Sequence, residues 1–191
     1  MYTTQNEEDP KTMRRQTPRL TGQALRDYAA SLLAARALSR NELRARLRRR
    51  AASHSEVEEV LASLSEYGAV DDARFAAHYA EARAAEGRWG KARVLANLLA
   101  RRVDSQTASS AVEAAFAGAS EESGVQLWLE RKFRGQDLRD LLKTKGKFAS
   151  IYRRLRTAGF SGKAVMGVLK RYAEIEDPFD PADEDAESDV L

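Results

Sequence analysis

Around Leu47, Leu98 and Leu155 the same classes of residue recur at fixed offsets. Four positions earlier stand Leu43, Val94 and Ile151, and six positions later stand three residues of helix-capping type, Ser53, Asp104 and Ser161. Ten, thirteen and fourteen positions after the anchors come Val57, Ala108 and Val165, then Val60, Ala111 and Val168, then Leu61, Val112 and Leu169. A recurrence of this length constrains the fold more than any other feature. Each copy must be one supersecondary unit, too small to offset its own ordering entropy and therefore packed against its neighbours. Tyr28 and Tyr79, each nineteen residues before its anchor, extend the match between the first two copies. The anchors lie 51 and 57 residues apart, so the third copy carries six extra residues, which we place within residues 136–147.

Each copy reads as three helices. Leu25, Tyr28, Ala29, Leu32 and Leu33 are spaced by threes and fours and form one helical stripe. Ser39, Arg40, Asn41 and Glu42 then spell a capping box, in which Ser and Glu satisfy each other's free backbone donors, with Leu43 and Leu47 as the buried stripe behind it. Ser53 with Glu56 opens a third helix carrying Val57, Val60, Leu61 and Leu64, and Gly68 supplies a left-handed stop. The third copy opens on Val125, Trp128, Leu129, Lys132 and Phe133, where Trp128 reads as a core residue and the lysine stem lies along apolar surface. The predicted fold is therefore all-α, with three tandem three-helix repeats in an elongated, curved array. The expected divisions are a disordered arm over residues 1–20, repeats over residues 21–70, 71–118 and 119–173, and an acidic disordered tail over residues 174–191.

Composition agrees with helices. Apolar residues are mostly Ala and Leu, and only four of the 191 residues are Pro. With no cysteine, a disulfide framework, a thiolate nucleophile and a Cys-based zinc site are all excluded. No leader-like apolar run and no long apolar span is visible, so a cytoplasmic protein without membrane contact is expected. The net charge is +3, but residues 174–191 hold nine acids and no base, which leaves +12 on the rest of the chain. A basic body of this kind suits an anionic partner such as nucleic acid or an acidic protein groove. It also suits helices that are merely kept soluble by arginine.

A search for catalytic chemistry finds no constellation. His54 and His78 have no acidic or cysteine partner at ligand spacing, and there is no phosphate-cradling glycine loop and no nucleophile elbow. We expect no catalytic residue, no metal and no cofactor. Asp71 and Asp72 resemble paired carboxylates, but acids at a helix start complement its positive end. One of them is expected to cap the fourth helix, leaving the other, with Arg74, for a partner. Phe75 and Tyr79, four apart, are expected to fill the seam between the first two repeats, and Leu47, Leu98 and Leu155 to anchor the cores.

Surface charge offers the partner-binding candidates. Arg40, Arg44 and Arg48 share one face of the second helix, while Arg88, Lys91, Arg93, Arg101 and Arg102 cluster at its counterpart in the second repeat and Arg153, Arg154 and Arg156 in the third. Arginine stripes of this kind pair bidentately with carboxylates or phosphates. A solvated helix face has the same composition. Direct action on DNA is the alternative reading, because three-helix units can mimic helix-turn-helix modules. Against it, no helix shows a compact base-reading face, and the sequence displays no aromatic platform for single strands.

The run Gly68-Ala69-Val70-Asp71-Asp72-Ala73-Arg74-Phe75-Ala76, with Ser39 to Leu43 before it and Tyr79, Arg83 and Gly90 after it, resembles the RecX family of recombinase regulators. The turn Arg156-Thr157-Ala158-Gly159-Phe160-Ser161 is similar to that family's turn before its last helix, and the resemblance covers about residues 22–173. It implies a small cytoplasmic bacterial protein that is not an enzyme and binds the groove of the RecA nucleoprotein filament. It further implies modulation, mainly inhibition, of RecA ATPase, strand exchange and co-protease activity in recombination and the SOS response. A monomer with at most weak direct DNA contact is expected.

Overall fold

Helix boundaries follow the caps. The computed structural model describes residues 19–173; the arm, apart from Arg19 and Leu20, and the acidic tail lie outside them. Among the described residues ten helices run in order: α1 (Gly22–Ala35), α2 (Arg40–Arg48), α3 (His54–Glu66), α4 (Asp72–Glu86), α5 (Lys91–Ala100), α6 (Ser105–Ala115), α7 (Glu121–Lys132), α8 (Leu138–Leu142), α9 (Lys145–Thr157) and α10 (Gly162–Ala173). At α2 both halves of the capping box are closed, by Glu42 N–H to Ser39 Oγ at 3.1 Å and Ser39 N–H to Glu42 Oε2 at 3.2 Å. Ser53, Asp71 and Asp104 accept from the third residue of α3, α4 and α6. None of these helices is long and apolar enough to cross a membrane.

Packing runs within units, as the recurrence requires: α1 to α3 on one another, α4 to α6 likewise, and α7 to α9 against α10. Three separate cores result, with Leu47, Leu98 and Leu155 each fully buried in its own. The middle core is built largely from small residues, Ala76, Ala80 and Ala108 among them, so that α4 and α6 approach closely. Phe75, Tyr79, Trp89 and Phe116 close its rim. The third unit departs from a three-helix plan. Its extra residues form α8, capped by Asp137, and the wholly buried Leu142 ties the insertion to the core.

One contact recurs three times, and two of its copies join the units. At the turn that ends the second helix of each unit, two successive carbonyls accept hydrogen bonds from whatever precedes that unit in the array. In the second unit Arg101 O accepts from Ser39 Oγ at 2.5 Å and Arg102 O from Asn41 Nδ2 at 2.9 Å. In the third, the equivalent carbonyls of Ala158 and Gly159 accept from the N–H groups of Gly90 at 2.9 Å and Ala92 at 3.3 Å. The donors Gly90 and Ala92 lie 51 residues after Ser39 and Asn41, and the acceptors 57 after Arg101 and Arg102, so both ends keep the repeat offsets. At the first unit the segment before α1 takes the place: Leu20 N–H donates to Arg50 O at 2.7 Å and Arg19 Nη1 to Ala51 O at 3.2 Å. Leu20 and Ala51 form an isolated parallel bridge there.

Close backbone approach explains two glycines. A Cβ on Gly90 would stand 2.3 Å from Gly159 O, and one on Gly159 would stand 2.4 Å from Arg93 N. Gly159 also has φ +93°, and at the equivalent position Arg102 is forced to φ +62°, which costs a residue with a Cβ about 1 kcal/mol.

Candidate functional site

The first seam is held by Arg101. Its guanidinium lies 4.4 Å from the centroid of the Phe75 ring and 5.7 Å from that of Tyr79, whose rings stack 6.4 Å apart. From there it donates to Ala37 O at 2.7 Å and to Glu42 Oε2 at 3.1 Å, both in the first unit. Asp72 adds a second tie, accepting the Arg40 N–H at 2.6 Å, while Asp71 caps α4. Burial by itself raises the pKa of the Glu42 carboxyl. The Ser39 N–H, the Arg101 guanidinium and Arg36 together outweigh that cost and hold it below the ordinary value.

At the second seam the chain opens a cleft of about 500 Å³. Gly87 stops α4 in the left-handed region, and the short loop after it carries Arg88 and Trp89 to one wall, beside Arg93 of α5. The Gly90 contact with the end of α9 brings Arg154, Thr157 and Ala158 to the cleft. Its other wall is α7, whose Trp128, Arg131 and Lys132 lie three and four residues apart on one face. Both tryptophans of the chain thus line one cleft with five cations and no carboxylate.

Local contacts set the posture of these side chains. The Arg83 and Arg93 guanidinia lie over the Trp89 ring at 5.0 and 5.5 Å, and Trp128 meets Phe133 edge-on at 6.3 Å. Arg93 donates to Thr157 O at 3.1 Å and Arg131 to Glu86 O, both neutral acceptors that leave the charge uncompensated. Arg88, Lys132 and Arg154 are exposed and have no partner among the described residues. Nor do three histidines or carboxylates converge there as metal ligands would.

Comparison with known proteins agrees with this architecture. Residues 71–112 match the model of the RecX second three-helix domain. A protein of Deinococcus radiodurans named Regulatory protein RecX is 28% identical over 180 residues, covering 94% of this chain and 83% of that protein. One of the same name from Chromohalobacter salexigens is 38% identical over 88 residues, 46% of this chain and 57% of that relative's length. The crystal structure of RecX from Lactobacillus salivarius superposes with a TM-score of 0.59 at 18% identity, over 79% of this chain and 96% of that one. A second RecX crystal structure gives 0.57 at 18% identity, over 78% and 73%.

The chain is similar to RecX proteins over most of its length. The segment that matches the RecX second domain contains one wall of the cleft, Arg88, Trp89 and Arg93, whereas the α7 wall lies beyond it.

Most of the expected contact residues already hold internal partners. On α2, Arg44 makes a two-pronged pair with Glu58 at 2.9 and 3.0 Å and also reaches Asn41, and Arg40 donates to Ser65 Oγ at 3.2 Å. Arg48 is half exposed, 3.6 Å from Glu58 and 3.2 Å from His54 Nε2. The hydrogen bonds from Arg44 are the main reason the Glu58 carboxyl lies below its ordinary pKa. The stripe Arg40, Arg44 and Arg48 therefore joins α2 to α3. Arg74 donates to Gly68 O at 2.5 Å, Arg156 to Phe160 O at 2.8 Å, and Lys91 approaches Glu113 at 3.7 Å. Of the expected set, Arg88 and Arg153 stand exposed without a described partner.

Trp89 and Trp128 are 39 residues apart in the chain, and the second seam brings them to one cleft. Trp128 packs on the third core and lines the cleft as well, so its reading as core alone was incomplete. Arg131 carried no signal from the basic clusters, although its spacing with Trp128 and Lys132 on α7 was a usable one.

Proposed function

We propose that this chain binds along the groove of RecA nucleoprotein filaments and restrains RecA, lowering its ATP hydrolysis, strand exchange and co-protease activity. Similarity to proteins named Regulatory protein RecX, and to the RecX second three-helix domain over residues 71–112, supports the reading. The observation that carries it is the recurring junction: the same pair of carbonyls joins each unit to what precedes it, so the units follow one another with a repeated step. A binder built on a repeated step suits a partner that is itself a repeat of identical subunits. Its basic body complements the negative backbone of filament-bound DNA. The protein acts as a cytoplasmic monomer, and the exposed cations without internal partners, Arg88 and Arg153 among them, make the contacts.

The test adds the full chain to preformed RecA filaments on single-stranded DNA and follows ATP hydrolysis and strand exchange. Inhibition at substoichiometric to equimolar protein is expected. Unchanged rates at equimolar protein would overturn the reading.

A further inference from the structure

We propose that the cleft between the second and third units binds single-stranded nucleic acid, taking a base between its tryptophan walls and the neighbouring phosphates on its cations. Three observations converge on this chemistry. The charge is one-sided: cations line the cleft without a single carboxylate, and Arg93 and Arg131 are oriented by backbone carbonyls that do not neutralise them. A ligand that carries several negative charges is therefore favoured over a neutral one. The aromatic content is concentrated in the same place, because both tryptophans of the chain line this cleft and both remain half-buried. Indole and guanidinium planes are the surfaces on which unpaired bases stack, and stacking tolerates any base. A base entering the cleft meets Trp128 on one wall and Trp89 with its Arg93 neighbour on the other.

Size completes the case. A volume of about 500 Å³ lies within the range of small-ligand sites, enough for a base with its sugar and phosphate and too little for a duplex. Arg88, Lys132 and Arg154, exposed and without partners among the described residues, are free to meet phosphates on either side. An acidic peptide would satisfy the cations but leave the indoles without a planar partner.

The chain provides its own reporter, since its only two tryptophans are in the cleft. The full-length protein is titrated with a short oligo-thymidylate while tryptophan emission and the anisotropy of a labelled strand are read, across a salt series. Quenching should saturate together with the anisotropy. The variant R88A/K132A/R154A, altered only at exposed positions, should keep its helical circular dichroism, bind about tenfold or more weakly and show a salt slope smaller by about 2. W128F should bind more weakly than the wild type while keeping its fold. Parallel arms use an abasic strand, thymidine monophosphate and poly-glutamate, and each should bind more weakly than the oligonucleotide. No quenching, wild-type affinity in the triple variant, or equal affinity for any of these three ligands would overturn the proposal. No recombinase enters the assay, so its failure is distinct from failure of the filament reading.

Discussion

The buried hydroxyl of Ser39 donates to the carbonyl oxygen of Arg101 at 2.5 Å while accepting the N–H of Glu42 at 3.1 Å, so one side chain both starts α2 and joins two units. A serine hydroxyl has one donor, and here it is spent across the seam. Ser39→Ala removes the cap, worth about 1 kcal/mol, and orphans a seam carbonyl, worth about 1 kcal/mol more. Urea unfolding should show a loss of about 2 kcal/mol. A loss no larger than that of Ser53→Ala, whose hydroxyl caps α3 without crossing a seam, would remove the seam contribution.

The equivalent backbone positions Arg102 and Gly159 make opposite predictions. Arg102 holds φ +62° against its own Cβ, so Arg102→Gly should stabilise the chain by about 0.5–1 kcal/mol. Gly159→Ala adds a Cβ at φ +93° that would sit 2.4 Å from Arg93 N, where backbone must give way, and should cost more than about 2 kcal/mol. Gly118→Ala is the control: φ is +74° but nothing lies within 4 Å, so only about 1 kcal/mol is at stake. Thermal unfolding should rank the three variants, from most to least stable, Arg102→Gly, Gly118→Ala and Gly159→Ala.

Helix starts and cores were visible in the chain itself. Ser39 and Glu42, Asp71 and Asp104 announce helix starts by local chemistry, and the offsets from Leu47, Leu98 and Leu155 announce the cores. The hydrogen bonds that join units left no such trace, because Gly90 and Ala92 donate through backbone N–H groups that every residue but proline possesses. The arginine stripe on α2 was visible, but its internal partners were not. Its periodicity was real, but Glu58 and Ser65, which engage it, lie on the next helix at no fixed spacing. The cleft was hidden for the same reason, since its walls come from different units.

Glu42 makes the first seam sensitive to acid. Its carboxyl titrates below the ordinary value in the folded chain, because contacts with Ser39, Arg101 and Arg36 outweigh the penalty of burial. A depressed folded value means stabilisation that is complete above the unfolded pKa and lost as the pH falls through the folded one. Stability should therefore decline on acidification below the usual glutamate range, and Glu42→Gln should flatten that part of the profile while lowering stability at neutral pH. Urea midpoints measured over the pH range decide it, and an unchanged slope in the variant would assign the acid loss elsewhere.

Arg44 and Glu58 form a pair whose disruption would mimic loss of a partner. Arg44→Glu sets two carboxylates beside each other and should destabilise the first unit by about 1 kcal/mol, even though the residue sits on a basic stripe. The double exchange with Glu58→Arg should recover most of that loss in a double-mutant cycle. If the exchanged protein regains stability but still fails to inhibit RecA, the α2 stripe touches the filament after all.

The acidic tail tests the electrostatics of the cleft. Residues 177–191 carry seven acids and no base, tethered to a body of opposite charge. We propose that these tethered carboxylates compete with phosphates for the same cations, because tethering raises their effective concentration. Deleting residues 177–191 should tighten oligonucleotide binding several-fold at low salt, with the difference shrinking as ionic strength rises and the screening length falls to about 10 Å near 0.1 M. In the R88A/K132A/R154A background the same deletion should give a smaller gain, because part of what the tail competes for is gone. Equal affinity of full-length and shortened chains at low salt would show that the tail does not compete for the cleft.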